Sequence, residues 1–181
     1  MSDLAALLLE TGLIQFGRYE GGKPYRLQLD LLPSYPDVLD TLIEMAEPLV
    51  GEVDHLLSTS EAVPLGIGLS LSKQVPLVYS RGSNSAAVHD LVGAYDIGHP
   101  ALLLANQPEA RLEQLITRAH SVGLEVRSIM VIVDDGAWHP KTLPLQSLID
   151  LRSIVNVLVT DRTLPAGQAQ RVTAWINRHP G

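Results

Sequence analysis

The sequence predicts an α/β fold: a central, mostly parallel sheet with helices on both faces. Two observations carry this expectation. Several short runs, "ALLLA" and "VRSIMVIV" among them, are apolar with little or no alternation, as strands buried on both faces are. They alternate along the chain with segments of helical periodicity, the pattern of strands joined by crossover helices. A length of 181 residues fits one domain, and no repeat, linker or low-complexity tract divides 1–181.

Residues 1–32 read as a helix followed by a small appendage. Ser2 stands where it can cap a first helix, in which Leu4, Leu7 and Leu8 recur at helical spacing and which ends near Gly12. The stretch "LIQFGRYEGGKPYRLQLD" then places a Gly-Gly turn between two short β-like segments, which predicts a hairpin or arm.

The core, 33–181, opens with the helix "SYPDVLDTLIEMAEPLV", whose Val38, Leu39, Leu42, Ile43, Ala46 and Leu49 share one face and which Gly51 ends. "VDHLL" follows as a strand, a helix begins near Pro64, and "VPLVYS" is the next strand. Residues 81–98 read as a long polar loop. The strand "ALLLA" leads into a helix over 108–122 that turns Leu112, Leu115, Ile116 and Ala119 inward and stops at Gly123. The strand "VRSIMVIV" and the loop "AWHPKTLP" come next. "LQSLIDLR" is expected as a short helix, "IVNVLVT" as a last strand and 165–178 as a closing helix.

Composition narrows the function. A hydrophobic share of 46% with 18% charged residues describes a folded core. The net charge of -7, with 13 Lys and Arg scattered along the chain, argues against nucleic acid as a partner, because phosphate backbones are bound by basic stripes. Without cysteine there is no disulfide, thiolate nucleophile or cysteine-ligated zinc. No apolar run is long enough to span a bilayer, and the start "MSD" lacks the basic segment of a secretory signal, so a cytoplasmic setting is expected. The six histidines form no metal-ligand cluster, and no Gly-x-Ser-x-Gly elbow marks a hydrolase.

In the order of its segments the chain resembles the orotate phosphoribosyltransferases, within the type I phosphoribosyltransferase family, over nearly its whole length. "LIQFGRYEGGKPYRLQLD" is similar to the family's amino-terminal hood, "VPLGIGLSLS" to the helix that opens with a Gly-Ile-Pro-Leu-Ala phrase, and "VPLVYSR" to the strand ending in an Arg-Lys pair. "DLVGAYDIGHPALLLA" resembles the approach to the signature strand, and 124–159 the closing strand, loop and short helix. The resemblance implies a homodimer that joins a base to the ribose of phosphoribosyl pyrophosphate, with Mg2+ assisting the departing pyrophosphate.

The charged groups which that chemistry needs are replaced, position by position. Where the signature strand should end in two ribose-binding carboxylates stand Ala105 and Asn106. The Thr- and Gly-rich phosphate cradle is replaced by Gln107, Pro108, Glu109, Ala110 and Arg111; Pro108 lacks a donor, and Glu109 is anionic where phosphate would lie. Instead, Asn106 with Glu109 three residues on reads as a capping box, with Pro108 in the first helical turn. In the pyrophosphate loop Glu61 and Ala62 replace Lys and Gly. Arg81 matches the family's Arg, but Gly82 and Ser85 stand where lysines are expected, and the catalytic loop keeps only His89 as a titrating group. The Arg that would meet an orotate carboxylate is replaced within the pair Asp134-Asp135. Removing one charge-assisted hydrogen bond from such a site costs about 1.5–3 kcal/mol, against the roughly 8 kcal/mol of a micromolar complex. Together the changes at Ala105, Glu109, Glu61 and Asp135 are enough to abolish binding.

The expectation is therefore a phosphoribosyltransferase-like protein without transferase activity, acting as a binding or regulatory homodimer. An active phosphoribosyltransferase using orotate or another base stays open as the alternative, and Mg2+ would be needed only in that case. The candidate contacts for a nucleotide-like ligand are Ser58, Thr59, Ser60, Arg81, His89, Asn106, Lys23 and Tyr25, with Asp134 and Asp135 as the candidate base site. Each has a plainer reading. The hydroxyls of 58–60 can cap the Pro64 helix, Arg81 can pair with a carboxylate, Lys23, Tyr25 and Arg26 can be exposed hairpin residues, and the two aspartates can be solvated turn carboxylates.

Overall fold

Successive residues of a strand face opposite sides of its sheet, and the three central strands divide their apolar side chains accordingly. Leu56, Leu102, Leu104, Met130 and Ile132 point to one face, and Leu57, Leu103, Ala105, Ile129 and Val131 to the other. A computed structural model describes residues 2–82 and 90–178. Its main sheet contains β3 (His55–Ser58), β4 (Leu77–Ser80), β5 (Leu91–Val92), β6 (His99–Ala105), β7 (Leu124–Asp134) and β8 (Leu145–Asp150). The strand order is β5-β4-β3-β6-β7-β8, parallel throughout except for the antiparallel edge pair β4 and β5.

The two faces are covered unequally. Helices α1 (Ser2–Glu10), α2 (Pro36–Ala46), α3 (Val63–Lys73), α5 (Leu151–Thr160) and α6 (Ala166–Arg178) contribute to the core of the first face. On the second, α4 (Leu112–Ser121) is the one helix among the described residues that packs on the sheet, through Leu112, Leu115 and Ala119. The appendage is the expected hairpin: β1 (Ile14–Phe16) pairs antiparallel with β2 (Tyr25–Leu27), and Gly21 and Gly22 turn the chain at φ of 71° and 76°, where a side chain would be strained. No described helix is long and apolar enough to cross a membrane.

Several expectations need correction. "LQSLID" is strand β8 rather than a helix, and "IVNVLVT" lies within helix α5 rather than a strand. The β-branched residues favour a strand locally, by a preference that spans about 1 kcal/mol. Leu151, Ile154, Val155 and Leu158, however, are all buried and share one helical face, whereas a strand would split them between two. Asp150 starts that helix, its carboxylate accepting the Ser153 N–H at 2.9 Å and the Ser153 hydroxyl at 2.8 Å. The 81–98 stretch contains the short strand β5, missed because two residues carry no periodicity. The α4 helix begins at Leu112, not at 108. Leu49, assigned to the buried face of α2, is exposed, because the chain tightens into a 3-10 turn over Glu47–Leu49 and the face rotates away. The Ser2 cap concerns a side chain outside those described.

Gly93, just past β5, has a φ of 141°, and a Cβ there would lie 2.8 Å from the Leu77 carbonyl oxygen and 3.0 Å from the Val78 Cα. Those are backbone atoms of the neighbouring strand and cannot swing aside. Gly93→Ala is therefore expected to lower stability by about 1–3 kcal/mol in urea denaturation. Gly98→Ala, with φ of 87° but open space around its Cβ, should lose less; equal losses would refute the steric argument.

Candidate functional site

The carboxyl ends of β3, β6 and β7 lie side by side, and the loops that follow them form the face where ligands bind in open α/β sheets. Backbone hydrogen bonds fix these loops to one another. The Thr59 N–H donates to the Leu104 carbonyl at 3.0 Å, and the Val133 N–H to the Asn106 carbonyl at 3.0 Å. Gly82 brings the end of β4 so close that a Cβ there would stand 2.7 Å from the Ser60 hydroxyl oxygen.

Across this mouth lies an ion cluster. The Arg111 guanidinium, in the loop after β6, donates to Glu61 in the loop after β3 at 3.1 Å and grips Glu109 at 2.6 Å. A second hydrogen bond from Arg111 to Glu109 spans 3.3 Å. Burial alone would raise the Glu61 pKa, yet a backbone N–H, the Arg111 charge and hydrogen bonds from Ser60 and Arg111 hold its carboxyl below the usual range. Burial likewise works against the Arg111 charge, and the Glu109 and Glu61 carboxylates overcome it and raise the guanidinium's pKa. The three side chains are 55% (Arg111), 34% (Glu61) and 40% (Glu109) exposed, so their pairing adds at most about 1 kcal/mol of stability each. Its effect is on access: two carboxylates and one cation leave net negative charge at the mouth.

This arrangement corrects the capping-box reading. Residues 106–111 are turns and bends, α4 receives no side-chain cap, and Glu109 is turned to Arg111. The Asn106 Oδ1 is buried with no hydrogen-bond partner among the described residues, as is the Ser58 Oγ. The hydroxyls of Ser58, Thr59 and Ser60 do not cap the Pro64 helix either, since Ala62 occupies its cap position without a side-chain bond. Arg81 is exposed, and no carboxylate among the described residues pairs with it. His89 and Ser85 lie outside the described residues.

Lys23, Tyr25 and Asp135 come together at a different point. Asp135 follows β7 and is buried, not a solvated turn carboxylate. It accepts the Tyr25 hydroxyl, the Lys23 ammonium at 3.1 Å and the Ala137 N–H at 3.0 Å. Trp175 from α6 meets the Tyr25 ring edge-on, with centroids 5.3 Å apart. Burial, then the hydrogen bond to Asp135 and the charges of Asp135 and Asp134, push the Tyr25 pKa up and keep its hydroxyl neutral. Asp134 faces away from this cluster, bonded to the Gly136 N–H at 2.8 Å and the His139 ring at 3.1 Å. Arg26 is exposed on the hairpin, as its plainer reading expects.

A third cluster gave no signal in the sequence. Asp90, buried before β5, accepts the Ser80 hydroxyl and the Arg118 guanidinium of α4, the latter at 2.9 Å. Its carbonyl takes the Arg81 N–H at 2.9 Å. Asp90 and Arg118 are 28 positions apart, which hides the pair from local pattern reading. A separation of 50 positions between Glu61 and Arg111 does the same at the mouth.

With this geometry in hand, comparison with solved structures defines the class. The fold matches UMP synthase of Leishmania donovani with a TM-score of 0.88 at 21% identity, over 98% of this chain and 42% of that one. It matches orotate phosphoribosyltransferase of Francisella tularensis with a TM-score of 0.73 at 14% identity, over 97% of this chain and 98% of that one. It also matches the Mycobacterium tuberculosis H37Rv orotate phosphoribosyltransferase solved in complex with 5-phospho-α-D-ribosyl 1-diphosphate, with a TM-score of 0.67 at 14% identity, over 84% of this chain and 97% of that one. The chain thus spans less than half the length of the UMP synthase and nearly all of the Francisella enzyme. No family model and no curated protein matches it. The fold is that of the type I phosphoribosyltransferases, and within them it is orotate phosphoribosyltransferase-like.

Proposed function

We propose that this chain is a phosphoribosyltransferase-fold protein that no longer transfers phosphoribosyl groups and serves in the cytoplasm as a binding or regulatory homodimer. One observation carries the reading: Arg111 bridges Glu61 and Glu109 across the mouth of the cleft. A diphosphate arriving there meets two carboxylates and a guanidinium already engaged by both. Where the resemblance places the ribose-binding carboxylates, Ala105 is buried and apolar and Asn106 is neutral. The residues present do not fit a Mg2+–pyrophosphate group.

With phosphoribosyl pyrophosphate and Mg2+ supplied, orotate is expected to show no turnover. Turnover of orotate, or of another base in a screen, would establish the active transferase instead. Light scattering is expected to give twice the chain mass, and a monomer would remove the homodimer from the proposal.

A further inference from the structure

A cavity with a volume of about 420 Å³ lies between the β1–β2 hairpin and helix α6. The charged residues lining it are all cations: Arg18, Lys23, Arg171 and Arg178. Acids outnumber bases 20 to 13 in this chain, so four bases around one hollow, with no acid among its described lining residues, run against the overall balance. Asp135 already offsets the Lys23 charge, and the repulsion among the three guanidiniums favours a bound anion.

The walls are also shaped. Arg171 and Arg178 lie seven residues apart, two helical turns along one face of α6, with the small Ala174 between them. The Arg178 Nε donates to the Ala174 carbonyl at 3.1 Å, which steadies its stem. Lys23 is held in place, its Nζ 4.8 Å from the Tyr25 ring centroid, 5.2 Å from that of Trp175 and 3.1 Å from Asp135. On the hairpin side Gly22 contributes no side chain, and no atom lies within 4 Å of where its Cβ would be.

We propose that this cavity binds a compact polyanion, a small molecule carrying at least two phosphate groups, at a site separate from the former transferase cleft. A volume of a few hundred Å³ suits a small-molecule pocket. One concave group of cations is the wrong shape for a nucleic-acid duplex, which requires a stripe. Guanidinium groups suit the ligand because each can offer two parallel N–H donors to a phosphate.

Inorganic tripolyphosphate is the probe, titrated into the full chain by calorimetry at low and at physiological salt, with inorganic phosphate as the singly phosphorylated comparison. Tripolyphosphate should bind more tightly than phosphate and weaken as salt rises. The double variant Arg18→Ala/Arg171→Ala alters two exposed side chains and should loosen binding at least tenfold without changing the melting temperature of the free protein. Arg111→Ala, at the cleft mouth, should leave it unchanged. No binding by the wild type, or full binding by the double variant, overturns the proposal, and so does loss of binding in Arg111→Ala, which would place the anion in the cleft. Dissociation of a dimer by the double variant without tripolyphosphate binding in the wild type also overturns it, by making the cavity a subunit contact. Because the cleft is tested by turnover of orotate and the cavity by tripolyphosphate binding in the wild type and the Arg18→Ala/Arg171→Ala variant, either conclusion can fail while the other stands.

Discussion

Arg118→Leu is expected to lower the unfolding free energy by about 3–5 kcal/mol, the usual consequence of removing one partner from a buried ion pair. The Asp90 side chain is 1% exposed and that of Arg118 16%, so water cannot replace the missing guanidinium. Asp90 keeps the Ser80 hydroxyl, and what the substitution removes is a charge-assisted bond to a buried carboxylate. Urea denaturation measures the loss. Arg118→Leu combined with Asp90→Leu should recover part of it, because the double variant removes the buried carboxylate together with its guanidinium partner. A loss below 1 kcal/mol in the single variant would show that the pair contributes little. The consequence extends beyond α4: Asp90 holds Ser80 through its side chain and Arg81 through its carbonyl, so the end of β4 should loosen with it.

The second large effect concerns Asp135. Asp135→Ala leaves the Tyr25 hydroxyl buried without its acceptor, which alone costs about 1–3 kcal/mol, and deprives Lys23 and the Ala137 N–H of the same carboxylate. Tyr25→Phe should cost less, because Asp135 then keeps two donors. The double variant should lose less than the sum of the singles, and additive losses would deny the coupling. The same group sets an alkaline limit. Tyr25 is held neutral when folded, its pKa raised first by burial, whereas in the unfolded chain it ionises near pH 10. Its contribution is therefore complete below about pH 10 and is lost as pH rises toward the folded value, by up to about 1.4 kcal/mol per pH unit. Urea titrations at pH 8, 10 and 11 should show this slope in the wild type and a shallower one in Tyr25→Phe.

How far the sequence could be read depended on range. Buried strands such as β6 and β7 betray themselves by continuous apolar runs, and the Gly-Gly turn announced the hairpin, because these signals sit within a few residues. The exchange of strand and helix at β8 and α5 arose where two local signals conflict: β-branched residues in "IVNVLV" against an i, i+3, i+4, i+7 stripe led by a capping Asp150. At the site, the residues themselves were legible and their partners were not. Glu61, Glu109 and Arg111 were each visible as departures from a phosphate-binding pattern, but only the fold shows that they pair with one another. Asp135 and Lys23 were both singled out, yet nothing local indicated that they meet. The basic cavity is assembled from the two ends of the chain, and short windows cannot register that.

The Tyr25–Asp135 bond joins residues 110 apart in sequence, and Trp175, near the end of the described chain, closes over it. Topologically the molecule is clasped: the hairpin has its anchor in a strand end and a helix that lie far along the chain from it. A loop of that length adds little further closure entropy for its size, since the penalty grows only logarithmically, but it delays docking until almost the whole sheet exists. The hairpin thus docks late: its Tyr25 and Lys23 donors find their buried carboxylate only once the strand that leads to Asp135 is in place.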